Sequence, residues 1–156
     1  MQPIRNLVGD LISPDVAPPE VSIGATVSDA IAAMRSHPKH AVVVTEEHVV
    51  VGIFTERDLL VRVVAGDLDP SATPVAEVMT PDPVTLPPDA SISYAINHMG
   101  HGGLSNVPIV DAQGKLLALI GVWEVVRHLD EVFVELEAAS HVSDPNSPWV
   151  DLGGGA

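Results

Sequence analysis

The chain has no cysteine. Disulfides, thiolate metal sites and cysteine nucleophiles are therefore excluded. Aromatic residues are scarce, at 3% of the sequence, so Val, Ile, Leu and Ala must build the core. Cations are scarce as well. Seven Lys plus Arg stand against 21 Asp plus Glu, a formal charge of −14. That balance argues against nucleic acid, whose binding needs clustered Lys and Arg, and against anionic membrane surfaces. It also means that a bound phosphate must be held by local donors. The longest strongly apolar stretch, Leu116 to Trp123, is too short to span a bilayer. Met1 to Asp10 lacks the apolar core of a secretory signal. The expected location is the cytoplasm.

What the chain does have is a repeat. Its 156 residues, 46% of them hydrophobic, suffice for one domain or for two small halves sharing a core. Val8-Gly-Asp-Leu-Ile-Ser-Pro-Asp15 matches Val75-Ala-Glu-Val-Met-Thr-Pro-Asp82 at an offset of 67 residues. Val27, Ala30, Ile31 and Met34 match Ile92, Ala95, Ile96 and Met99 at an offset of 65. Thr55 and Asp58 align with Gly121 and Glu124 at 66. A duplication of about 66 residues is longer than a solenoid repeat and predicts two pseudo-symmetric halves. Each half has the same order. A Pro-rich lead-in feeds a short extended piece, Val21 to Ile23 or Val84 to Leu86. Helices follow over about Val27 to Ser36 and Ile92 to Met99, with Thr26 and Ser91 as N-caps. Hairpins come next, Ala41–Thr45 with Val49–Phe54 and Val107–Val110 with Leu116–Ile120. Closing helices start near Glu56 and Val122. Gly66 to Pro74 is the linker. The last helix keeps its apolar spacing through Leu129, Val132, Phe133 and Leu136, and Ser140 to Ala156 reads as a mobile tail.

The chain is organised around Gly52-Ile53-Phe54-Thr55-Glu56-Arg57-Asp58. An apolar strand runs straight into a helix there, with Thr55 as N-cap and Asp58 one turn on. Hydroxyl and carboxylate share a face. Exposed N–H groups and a hydroxyl can hold a phosphate, and a carboxylate can accept ribose hydroxyls. Thr-x-x-Asp is also an ordinary capping pattern, so the motif alone carries both readings.

Gly-x-x-Thr-x-x-Asp after a strand resembles the ligand motif of the CBS domain, named after cystathionine beta-synthase. The resemblance covers roughly Val8 to Leu129 as two tandem copies, a pair usually called a Bateman module. It implies an α+β fold of the α/β-sandwich type, with two β-α-β-β-α repeats related by a pseudo-twofold. The expected boundaries are 8–66 for the first copy, 67–74 for the linker and 75–133 for the second. Residues 134–156 form a helix extension and acidic tail. The implied function is a stand-alone regulatory module, not an enzyme. It binds an adenosine-containing ligand (AMP, ADP, ATP or S-adenosylmethionine) and signals to a regulated partner protein or across a homodimer.

By the resemblance, Thr55 faces the ligand phosphate and Asp58 the ribose. Family sites add basic residues before the hairpin, here Lys39 and His40, which with Arg57 can neutralise one phosphate. Contacts from the first strand implicate Val21, Ser22 and Ile23, although packing explains Val21 and Ile23 equally well. The second copy departs from the pattern. Ala118 stands where the family usually has Gly, Gly121 replaces Thr and Glu124 replaces Asp. The first copy is therefore expected to be the better site. The acidic balance ranks AMP or S-adenosylmethionine above ATP.

Other classes have less behind them. His98 and His101 form a His-x-x-His without a third ligand at a metal-site spacing. There is no nucleophile elbow, no P-loop and no Gly-x-Gly-x-x-Gly. The alternative from another class is a ligand-independent dimerisation scaffold with degenerate sites.

Overall fold

The computed structural model describes residues 6–141. The first half contains β1 (Glu20–Ser22), α1 (Val27–Arg35), β2 (Ala41–Glu46), β3 (Val49–Thr55) and a closing helix. That helix begins as α2 (Glu56–Asp58) and continues with π-type winding over Leu59–Val64. The second half contains α3 (Val75–Val78), β4 (Thr80–Pro81), α4 (Ile92–Gly102), β5 (Asn106–Val110), β6 (Leu116–Gly121) and α5 (Val122–His141). The β-α-β-β-α order is complete in the first half and the second keeps its α-β-β-α part, in an α+β fold.

Local chemistry sets the helix starts. The Thr26 side chain accepts the Asp29 N–H at 3.3 Å, and the Asp29 carboxylate accepts the Thr26 N–H at 2.9 Å. This reciprocal cap launches α1, which buries Val27, Ala30 and Met34. Ser91 caps α4, which ends at Gly103 in the left-handed region (φ 62°).

Strands β1 to β4 form one sheet in that order, with β1 parallel to β2 and the other pairs antiparallel. Strands β5 and β6 form an antiparallel pair. The extended piece expected at Val84–Leu86 shrinks to a single parallel bridge, Leu86 to Ile109. Pro83 and Pro87 flank it and supply no ladder donors. The strand of that region is instead β4, which pairs with Ile53 and Gly52 of the first half.

The lead-ins are exchanged between halves. Val8 is fully buried in the second half's core with Ile92, Ala95, Ile109 and Val125. Its N–H donates to the Ala90 carbonyl at 2.9 Å. Reciprocally, Val75, Val78 and Met79 enter the first half's core with Val27, Met34 and Phe54. The Val75 N–H donates to the Ala25 carbonyl, also at 2.9 Å. This swap is the pseudo-twofold in physical form. Between the halves, Ala41, Val43 and Ile53 meet Leu119. Strand β2 is apolar on both faces for that reason: Val42 and Val44 point into one core, Ala41 and Val43 into another.

Helix α5 buries Val125 and His128 early, while Phe133, Val134 and Leu136 further on are exposed. The tail expected after it lies, past His141, outside the described residues. Among the described residues no helix is long and apolar enough to cross a membrane.

Candidate functional site

The fold presents two strand-to-helix corners, related by the internal symmetry. At the first, β3 ends in Thr55 and α2 begins. The Asp58 carboxylate accepts the Thr55 N–H and the Thr55 hydroxyl, each at 3.0 Å, through Oδ2. Its other oxygen, Oδ1, accepts the Thr80 hydroxyl at 3.1 Å and sits 3.6 Å from Arg62 Nε. Asp58 is only 7% exposed. Arg62 also donates to the Val78 carbonyl at 3.1 Å, tying the helix to the incoming lead-in. A Cβ added at Gly52 would lie 2.2 Å from Met79 Sδ. The motif glycine here lets Met79 close onto β3. Lead-in, β4 and Arg62 all pack against this corner.

At the second corner, β6 ends in Gly121 and α5 begins. Glu124 Oε2 accepts the Gly121 N–H at 2.8 Å, the counterpart of the Thr55–Asp58 cap. The longer side chain leaves Oε1 free to accept a charge-assisted bond from Lys39 Nζ. The two side chains are 12% and 26% exposed. Burial pushes the Glu124 carboxyl up, but the Lys39 ammonium and the Gly121 N–H outweigh it and hold the carboxyl below its ordinary range.

Beside this ion pair is a cavity of about 200 Å³. The lead-in (Ile12, Ala17 and Pro18), the loop residues His37 and Lys39, and Ala118, Glu124 and Arg127 are among its walls. Ile12 is the counterpart of Met79, and Ala118 that of Gly52. Ile12 packs, partly buried, against the second half's core, which includes Ala118. The lead-in here forms no strand with β6, whereas β4 pairs with β3. A wider hollow of about 650 Å³ lies over the hairpins, lined by Glu46, Glu47, Val49, Val51 and Lys115. It has two carboxylates against one ammonium and no strand-to-helix corner, so it suits an anionic ligand poorly.

The residues singled out from the sequence are divided between these places. Lys39, Gly121 and Glu124 meet at the second corner. Thr55 and Asp58 hold each other at the first. Lys39 is paired with Glu124 of the other half. It reaches across to α5 because the loop before β2 faces the other half's closing helix. Arg57 is exposed on the first turn of α2. His40 is exposed in the left-handed region (φ 49°), and its carbonyl accepts the Glu56 N–H at 3.3 Å. Val21 and Ile23 pack against the first half's core. Ser22 is exposed, and its hydroxyl accepts the Gly24 N–H at 3.3 Å. Of the histidine pair, His101 Nδ1 lies 3.2 Å from the Asn97 carbonyl. Among the described residues no group of three or more metal-ligating side chains converges.

Sequence reasoning missed His37, Arg127 and the lead-in wall. Their signal was the Ala118-for-Gly52 exchange, which marks a corner that packs differently. It becomes legible only once the lead-ins are known to be swapped.

Residues 8–65 and again residues 75–131 match the CBS domain. The chain is similar to the meiotically up-regulated gene 70 protein of Schizosaccharomyces pombe, 31% identical over 127 residues, 81% of this chain and 17% of that one. It spans only about a fifth of the length of the first curated relatives it matches. A putative signal-transduction protein with CBS domains from Burkholderia ambifaria superposes with a TM-score of 0.72 at 28% identity, over 79% of this chain and 93% of that one. A CBS domain protein of Pyrobaculum aerophilum complexed with AMP superposes with a TM-score of 0.70 at 21% identity, over 85% and 98% of the two chains. With both halves matched and the swapped, duplicated fold in view, this chain belongs to the CBS domain family and carries two copies of the domain in tandem.

Proposed function

We infer that the chain is a regulatory module that binds an adenosine-containing ligand in the cleft between its halves, at the second corner. The observation that carries this reading is the cavity beside Lys39 and Glu124. One wall comes from the first half and the other from the second. A ligand phosphate can take over the Lys39 ammonium, which frees Glu124 Oε1 to accept a ribose hydroxyl. Because that ion pair spans the halves, the exchange couples ligand to their arrangement, and differential binding to two arrangements is what a sensor needs. AMP bound to the Pyrobaculum aerophilum protein supports the ligand class. The exposed Leu60, Val61 and Val64 beyond α2, and Trp123 and Phe133 on α5, supply apolar faces for a homodimer or for a regulated partner protein. The role is regulatory and not catalytic.

The test is a thermal-shift panel of AMP, ADP, ATP and S-adenosylmethionine on the wild-type protein and Glu124→Gln. Ligand at a hundred times its Kd adds about 2.7 kcal/mol of stability. A rise in Tm with the wild type, lost in Glu124→Gln, supports the reading. No shift with any compound contradicts it and favours the second reading, a ligand-independent dimerisation scaffold. The mutual cap of Thr55 and Asp58 and the exposed apolar helix faces favour that alternative. It predicts dimers at low concentration that respond to no nucleotide.

A further inference from the structure

The two hairpin tips are joined to each other. The Val50 N–H donates to the Gly114 carbonyl and the Leu116 N–H donates to the His48 carbonyl, each at 3.0 Å. Residues 48 and 114, and 50 and 116, are equivalent at the repeat offset of 66, so the two bonds exchange under the internal symmetry. Val49 and Lys115 form the bridge between them. The hollow of about 650 Å³ lies at this join. Glu46, Glu47, Val49 and Val51 of the first half and Lys115 of the second are its walls. A small molecule filling it touches both halves.

The charges around the hollow are not spent on one another. Glu46, Glu47 and Lys115 are exposed, and none of them has an ion-pair partner among the described residues. His48, next in the turn, is engaged with β1, where its Nδ1 lies 3.0 Å from Glu20 Oε1. Glu47 and His48 hold the turn in the left-handed region, with φ of 49° and 69°, where Asn and Gly are the usual residues. The turn thus carries a carboxylate at a cost in backbone strain, a cost that clusters at functional positions. In the second hairpin the equivalents of Glu46 and Glu47 are Ala112 and Gln113. The charge pattern is therefore not a by-product of the duplication.

The walls narrow the guest. Two carboxylates repel an anion. The Lys115 ammonium repels a metal dication or a polyamine, and among the described residues no three metal-ligating side chains converge. A molecule with two cations and one carboxylate satisfies all three groups. A basic α-amino acid carries that set on one skeleton. Its carboxylate suits Lys115, its α-ammonium and side-chain cation suit Glu46 and Glu47, and its methylenes suit Val49 and Val51. The volume is that of a small-molecule site.

We propose that the hollow at the hairpin join binds a basic α-amino acid such as arginine or lysine. The site shares no residue with the adenosine reading and does not depend on it. Because its walls come from both halves, occupancy favours one arrangement of the halves, a second input to the same module. All three charges are exposed, so each contact is weak, and a Kd of about a millimolar is expected.

The experiment titrates arginine into the full chain and follows the Val49, Val51 and Lys115 amides by NMR. Agmatine, which lacks the carboxylate, N-acetylarginine, which lacks the α-ammonium, and leucine, which lacks the side-chain cation, are compared with it. Arginine is expected to move the three amides, and each comparison compound to bind about fivefold more weakly. Lys115→Met should weaken arginine by a similar factor without weakening agmatine, while Glu47→Gln weakens both. These positions are exposed, so the variants keep the fold, which the rest of the amide spectrum checks. Agmatine binding as tightly as arginine, or Lys115→Met with wild-type arginine affinity, would reveal an adventitious cation on an acidic surface only and overturn the proposal. So would amides that neither arginine nor lysine moves. AMP is read at the Gly121 amide, so failure at the hollow leaves the adenosine reading standing, and failure of that reading leaves this one.

Discussion

The two corners descend from one sequence unit and now pack differently. At the first, the residues that most resemble a ligand motif are consumed by the fold. Thr55 and Asp58 cap each other, Thr80 and Arg62 take the remaining oxygen of Asp58, and Met79 presses onto Gly52. At the second, the pattern is altered, yet space remains: a cavity beside an ion pair, Lys39 with Glu124, that spans the halves. A motif's residue types do not decide whether a site is open. The neighbour that packs against them does, and here that neighbour is the lead-in exchanged from the other half.

Changes at either corner should separate the two. The largest effect is expected from Asp58→Ala, which removes a helix cap and two charge-assisted bonds. Stability should fall by about 2–3 kcal/mol, read as a lower denaturation midpoint, with AMP affinity unchanged in the folded fraction. Lost AMP binding in a protein of normal stability would reverse the roles assigned to the corners. Next comes Gly52→Ala. The added methyl must push Met79 aside, and overpacking of this kind costs about 1–3 kcal/mol. A calorimetric Tm equal to wild type would mean that Met79 does not pack against Gly52. The smallest effect is on the acid limb. Glu124 is held below its ordinary value, so the stability it contributes is present above the ordinary carboxylate range and is lost as pH falls through the lowered value. In Lys39→Met the folded value rises towards the unfolded one, so Tm should be lower at neutral pH and fall less on acidification, seen as a flatter acid limb. An unchanged curve would show that the pair does not form in solution.

Much of the fold was legible in the sequence because its signals are local. The matched octapeptides at Val8 and Val75 announce the duplication, Thr26 and Ser91 announce helix starts, and Val27, Ala30 and Met34 announce a buried face. The exchange of lead-ins was not legible. Two copies that each begin with the same apolar pattern fit either core, and nothing local says which. The site suffered from the same ambiguity. Thr55-x-x-Asp58 satisfies a cap and a ribose contact equally well, and the difference lies in Thr80 and Arg62, which arrive from elsewhere. Lys39 sits next to β2 in sequence, so it was grouped with Arg57. Its partner Glu124 is 85 residues away, a distance that a motif cannot bridge.

The most direct test is a calorimetric titration of AMP into three proteins: the wild type, Asp58→Asn and Glu124→Gln. One molecule of AMP per chain, retained in Asp58→Asn and lost in Glu124→Gln, is the result predicted here. Two molecules per chain, or binding abolished by Asp58→Asn and retained by Glu124→Gln, would contradict it.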